Sequence, residues 1–218
     1  MRDEINRTPE EVTIDKMLLL SLFSLTSQGS TLESMLKVQK LSFLVAMPLF
    51  LARKKAFSLE FYRHQKGPMS TGIYTAVDDF HKIGLMKRDK HFLSNTNKRA
   101  QDLVKSFIEE VMQGIPENRF LSECLINVVR EFANLRASRL TSLVYDMKFP
   151  TIEAPNRELT VRETPIHRHF TKVLDQPESE LTISIPDDWM DTLAIALSPS
   201  NRADFEKASK SRLVYARS

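Results

Sequence analysis

Two hydrophobic periods alternate along this chain. From Ile14 to Leu25 apolar residues run almost without interruption, which predicts a helix too apolar to lie on a surface. Thr8-Pro9-Glu10-Glu11 supplies its start: a capping threonine, a proline at the first helical position and a glutamate able to close a capping box. Gln28-Gly29 ends it. Ser30-Thr31-Leu32-Glu33 reads as a second capping box. Met35, Leu36, Val38, Leu41, Phe43, Leu44, Val45 and Met47 follow at mixed spacings of three and four, a broadly buried helix. Pro48 is expected to kink or end it, and Arg53-Lys54-Lys55 suits its C-terminal end.

The period then changes to two. Leu59, Phe61 and Arg63 alternate with Glu60, Tyr62 and His64, predicting a short strand that Lys66-Gly67-Pro68 breaks. Ser70 or Thr71 caps the next helix. Its inward face is Ile73, Val77, Phe80 and Gly84, with Tyr74, Ala76 and Ile83 beside them. Leu85-Met86-Lys87-Arg88 and His91-Phe92-Leu93 form a hairpin around Asp89-Lys90. Asn95 or Thr96 caps a helix carrying Ala100, Leu103, Val104, Phe107, Ile108 and Val111, stopped by Gly114-Ile115-Pro116. Helices follow over Leu121–Leu135 and Ala137–Tyr145, and Phe149–Pro165, with three prolines, reads as a connector.

Composition shifts after that. Leu181, Ile183 and Ile185 alternate with Thr182 and Ser184, a half-buried strand. Pro186-Asp187-Asp188-Trp189 opens a helix through Leu197, and Ser198-Pro199 opens a last one through Ala208. The expected fold is mainly α with a small β component. A winged-helix-like helical domain over residues 14–149 is followed by a C-terminal strand-helix-helix appendage over 150–218. So short an appendage buries little alone, so it docks on the main domain, dimerises or covers a partner.

A length of 218 residues suffices for a core without metal or disulfide staples. The single cysteine, Cys124, excludes an internal disulfide framework and suits a reducing cytoplasm; its apolar neighbours read as core. Met17–Leu25 and Leu41–Leu51 fall short of the ~20 residues a spanning helix needs. Acidic Asp3, Glu4, Glu10 and Glu11 are wrong for a signal peptide. The net charge is only +3, but Arg53–Lys105 holds 12 Lys/Arg against 5 Asp/Glu, or +7. Such a concentration attracts nucleic acid or an acidic protein.

Catalytic chemistry finds little support. Gly67 stands alone in its loop, so no phosphate-cradling glycine loop exists, and no nucleophile elbow is present. His167-Arg168-His169 lacks a third ligand at usable spacing. Asp78-Asp79 and Asp187-Asp188 are neighbours on helices, about 100° apart, so neither pair converges; the second complements a helix N-terminus. The reading is a non-enzyme without metal or cofactor.

The DNA-contact candidates are Arg63, His64, Lys66, Ser70, Thr71 and Tyr74 around the amphipathic helix, and Lys87, Arg88, Lys90 and His91 on the hairpin. Asp78 and Asp79 on the would-be groove face oppose that reading, at a cost of order 1 kcal/mol each. Asp78 can pair with Lys82. In the tail, Trp189, Met190 and Leu193 are either a local core or anchors for a protein partner.

The chain resembles the Panacea-domain family of SocA-like antitoxins and proteolytic adaptors. The resemblance lies in Leu36-Lys37-Val38-Gln39-Lys40-Leu41-Ser42-Phe43-Leu44 and in Phe61-Tyr62-Arg63-His64-Gln65-Lys66-Gly67-Pro68-Met69-Ser70. It extends through Ile73-Tyr74 and Gly84-Leu85-Met86, and more loosely through Leu121–Tyr145. His64-Gln65-Lys66 and Pro48 depart from the family pattern. The resemblance implies a non-enzymatic antitoxin that neutralises a cognate protein toxin, an adaptor to a protease, or an autoregulator of its operon. A DNA-binding winged-helix regulator is the alternative.

Overall fold

The computed structural model describes residues 7–27, 34–88, 93–150, 157–170 and 183–198, with the side chains at 27, 87, 88 and 93–95 outside that description. Helix α1, Pro9–Ser27, begins with the expected reciprocal box: Glu11 N–H donates to Thr8 Oγ1 at 3.2 Å, and Thr8 N–H to Glu11 Oε2 at 2.9 Å. Helix α2, Met35–Leu51, is capped by Ser34, whose Oγ accepts from Lys37 N–H at 3.4 Å. The box expected at Ser30–Glu33 lies outside the described residues. Residues 37–47 of α2 are all buried, so this stretch of three turns has no solvent face.

Pro48 does not end α2, which continues to Leu51. Its ring removes one ladder donor, a loss offset by the burial of Leu49 and Phe50 beyond it. The stop is Arg53, in left-handed conformation at φ 54. Arg53 N–H donates to Phe50 O at 3.0 Å and Lys54 N–H to Leu49 O at 2.8 Å, closing the last turn as a Schellman motif.

Strands β1, Tyr62–His64, and β2, Gly67–Met69, pair antiparallel, with Tyr62 opposite Met69 and His64 opposite Gly67. The expected stop at Lys66-Gly67-Pro68 is therefore a return strand. Gly67, at φ 90, takes a conformation that costs other residues dearly, and this turns the chain back on itself. Helix α3 is Thr71–Lys82, followed by the expected hairpin of β3, Met86–Arg88, and β4, Leu93–Thr96. Helix α4, Lys98–Phe107, is capped by Asn97 rather than by Asn95 or Thr96: Ala100 N–H donates to Asn97 Oδ1 at 2.9 Å. It continues as a π-helical turn over Ile108–Gln113. A 3₁₀ turn leads into α5, Arg119–Phe132, and then α6, Ala137–Asp146.

The segment read as a connector is ordered by pairing. Strands β5, Lys148–Pro150, and β6, Glu158–Thr160, form a hairpin. The chain then returns along β1: His167 N–H donates to Arg63 O at 2.7 Å, Arg63 N–H to Arg168 O at 2.8 Å and Phe170 N–H to Phe61 O at 2.8 Å. Ile183 and Ser184 form no strand. Ser184 is held by one side chain instead: its N–H donates to Asn118 Oδ1 at 2.9 Å, and Asn118 Nδ2 donates to Ser184 O at 2.6 Å. Helix α7, Asp187–Leu197, follows. The helix expected from Ser198-Pro199 onward lies outside the described residues.

The architecture is mainly α with small two-stranded sheets, as the periodicity predicts. Phe149, Val161, Phe170, Trp189, Leu193 and Leu197 share one buried cluster with α1–α6. Phe43 packs edge-on against Phe61 and Phe170, with ring centroids 5.4 and 5.0 Å away. Among the described residues no helix is long and apolar enough to cross a membrane.

Candidate functional site

Helix α2 carries Lys37, Gln39 and Lys40 into the interior, each at most 2% exposed. Two of them fasten β2. The Gln39 carboxamide grips the backbone of Ser70 on both sides, and Lys40 Nζ donates to Pro68 O at 2.8 Å. Burial, and secondarily the nearby Arg63, pull the Lys40 ammonium down to a pKa of about 7. Gln39 and Lys40 of α2, with Pro68 of β2 and Ser70, thus form one buried joint between α2 and the hairpin.

That joint sets the start of α3. Ile73, Ala76, Val77 and Phe80 turn inward, and Phe80 meets Phe23 edge-on at 6.0 Å. Thr71, Tyr74, Thr75, Asp78, His81 and Lys82 point outward. Asp79 does not belong to that outward face. It is buried against α1, where Lys16 Nζ lies 2.8 Å from Oδ2, and Lys82 reaches Oδ1 at 3.5 Å. Adjacent helix positions diverge by about 100°, so only Asp78 of the pair faces out.

Two of the candidate DNA contacts are interior. Arg63 is 7% exposed; Nε donates to Val161 O at 2.9 Å, Nη1 to Tyr145 Oη at 3.4 Å, and its guanidinium stacks on the Tyr145 ring at 4.7 Å. Ser70 is 2% exposed and spends its backbone on Gln39. Neither reaches a phosphate, because the returning segment 161–170 and α2 cover them. Thr71, Tyr74 and Lys66 are exposed and His64 is half-buried. Lys87 and Arg88 lie on β3, on the backbone hairpin as predicted. Lys90 and His91 fall outside the described residues.

The tail anchors are also interior. Trp189 is 5% exposed, meets Phe107 edge-on at 5.6 Å, and donates Nε1–H to Glu110 Oε2 at 3.2 Å. Leu193 is fully buried and Met190 half-buried. Trp189 and Leu193 are therefore core residues rather than partner anchors: α1 and the π-helical turn after α4 take up the face that a tail standing alone would leave bare.

Asp15 on α1 is a buried carboxylate that the sequence pattern does not single out. Ser58 N–H donates to Oδ1 at 2.7 Å and Arg7 to Oδ2 at 2.9 Å, yet burial pushes its pKa up to about 7. His169 sits against Glu60, with Nδ1 facing Oε1, while His167 lies exposed in a left-handed turn at φ 69. The two histidines do not converge. Among the described residues no three His, Cys, Asp or Glu side chains gather to hold a metal. Cys124 is buried, and desolvation, then Glu123, push its thiol upward, away from reactivity. Comparison with protein-family models, with curated proteins and with solved structures returned no match to this chain.

Proposed function

We propose that this protein is a non-enzymatic binding protein of the antitoxin or adaptor type, acting in the cytoplasm on a cognate protein through the outward face of α3. The observation that carries the reading is that Tyr74 and Asp78 share that face. They stand one helical turn apart, Tyr74 39% exposed and Asp78 outward. An exposed tyrosine beside a carboxylate suits a protein surface, since tyrosine gives contact area at low entropic cost. The same carboxylate is repelled by a phosphate-lined groove. Further support comes from the resemblance residues Gln39, Lys40, Gly67, Pro68 and Ser70. They are buried and structural, which fits a scaffold that presents a face rather than a site that performs chemistry.

The rival reading is a DNA-binding regulator. It rests on the +7 segment and on the order of α3 followed by a hairpin.

Co-expression with the product of the adjacent gene separates the two. That product alone should slow growth, and the full chain should restore it. Tyr74→Ala/Asp78→Arg should fold and fail to restore it. Growth indifferent to the product, together with tight promoter binding that falls steeply with salt, would favour the regulator.

A further inference from the structure

One side chain of α1 serves two other helices at once. Both α3 and α7 pack on α1. Lys16 Nζ lies 2.8 Å from Asp79 Oδ2 on the inner side of α3, and it donates to Leu197 O, at the end of α7, at 3.4 Å. The Lys16 and Asp79 side chains are 11% and 13% exposed, so water screens this ion pair little.

The last turn of α7 holds no basic residue of its own, and Ser198 beyond it is extended. The terminal carbonyls carry the negative end of the helix, which a cation within the last turn stabilises. Lys16 of α1 is placed to be that cation. While α7 is docked, its end lies against the ammonium. Once α7 lifts, that side opens to water, and the pair with Asp79 weakens toward the small worth of an exposed pair. Lys82 is a poor substitute, since it reaches Asp79 only at 3.5 Å from a side chain 64% exposed. Asp79 belongs to the same turn of α3 as Asp78, and Tyr74 stands one turn before Asp78. A looser Asp79 therefore loosens the outward face.

We propose that Lys16 couples the two helices, so that docking of α7 on α1 regulates the outward face of α3. The consequence for partner binding rests on the reading of α3 as the binding face; the coupling between the helices does not. The relation is reciprocal: as docked α7 steadies α3, a fixed α3 steadies α7 by the same factor.

Amide hydrogen exchange of the full chain tests it. Ala194 is exposed in the middle of α7. Ala194→Gly thus lowers helix propensity without removing a packed side chain, and should speed exchange of the α7 amides about fivefold. Amides 75–82 of α3 should then speed up at least about twofold, and those of α5 should change less. In the background Lys16→Met/Asp79→Asn, which removes both charges together, the α3 response to Ala194→Gly should vanish. Should that background not fold, Asp79→Asn alone supplies the reverse arm. It keeps nearly the same shape without the charge, and should speed exchange over 191–197 at least about twofold. Rates in α3 indifferent to Ala194→Gly would overturn the coupling. So would an acceleration spread evenly over α3 and α5, a response that survives removal of the ion pair, or α7 rates indifferent to Asp79→Asn. No partner enters this experiment, so its failure leaves the binding reading of α3 standing, and failure of α3 to bind the adjacent gene's product leaves the coupling standing.

Discussion

Gln39 holds Ser70 as a neighbouring strand would: Ser70 N–H donates to Oε1 at 2.8 Å and Nε2 donates to Ser70 O at 2.8 Å. A side chain from α2 thus replaces a missing ladder partner at the point where β2 ends and α3 begins. The contact spans 31 positions and fixes the direction in which α3 leaves the hairpin.

Replacing Gln39 by leucine keeps the volume and strands a buried N–H and a buried C=O. The expected loss is about 2 to 4 kcal/mol, read as a lower urea midpoint at unchanged slope. Gln39→Glu keeps one of the two bonds and should lie between the variant and the parent.

Stability should pass through a minimum near neutral pH. Asp15 has a folded pKa of about 7, raised from 3.8, so between those values the folded chain keeps a proton that the unfolded chain loses, and stability falls as pH rises. Lys40 has a folded pKa of about 7, lowered from 10.5, so above 7 the unfolded chain binds the extra proton and stability rises with pH toward 10.5. Each limb is worth on the order of a few kcal/mol. Urea unfolding across pH 4 to 10 should show the dip. Asp15→Asn should flatten the acidic limb and Lys40→Met the basic one.

Trp189 reports on the docking of α7, because it is the chain's single tryptophan and packs on Phe107. Its emission should shift red only with global unfolding. Trp189→Ala should cost about 3 to 5 kcal/mol. Trp189→Phe keeps the edge-on ring and loses the bond to Glu110, so it should cost about 1 kcal/mol.

Elements with a strong period or a local signature were legible from the residues alone. The Thr8–Glu11 box and the Ile73, Val77, Phe80 face are examples, since each depends only on neighbours within a turn or two. The return strand β2 and the β5–β6 hairpin were not, because Gly67-Pro68 reads as a strand stop and the prolines of 149–165 read as a connector. Burial of charge was also hidden. Arg63, Asp79, Lys40 and Asp15 are polar by composition, and only long-range partners bring them inside: Val161 for Arg63, Lys16 for Asp79, Pro68 for Lys40 and Ser58 for Asp15. Trp189 had two readings in the sequence, and the choice between them rests on Phe107, 82 positions earlier.

The outward face of α3 is tested most directly by calorimetric titration of the adjacent gene's product into the parent chain and into Tyr74→Ala. The exposed position of Tyr74 predicts unchanged Tm and affinity weakened at least about tenfold. Equal affinity for both chains, or no binding by the parent, would contradict it.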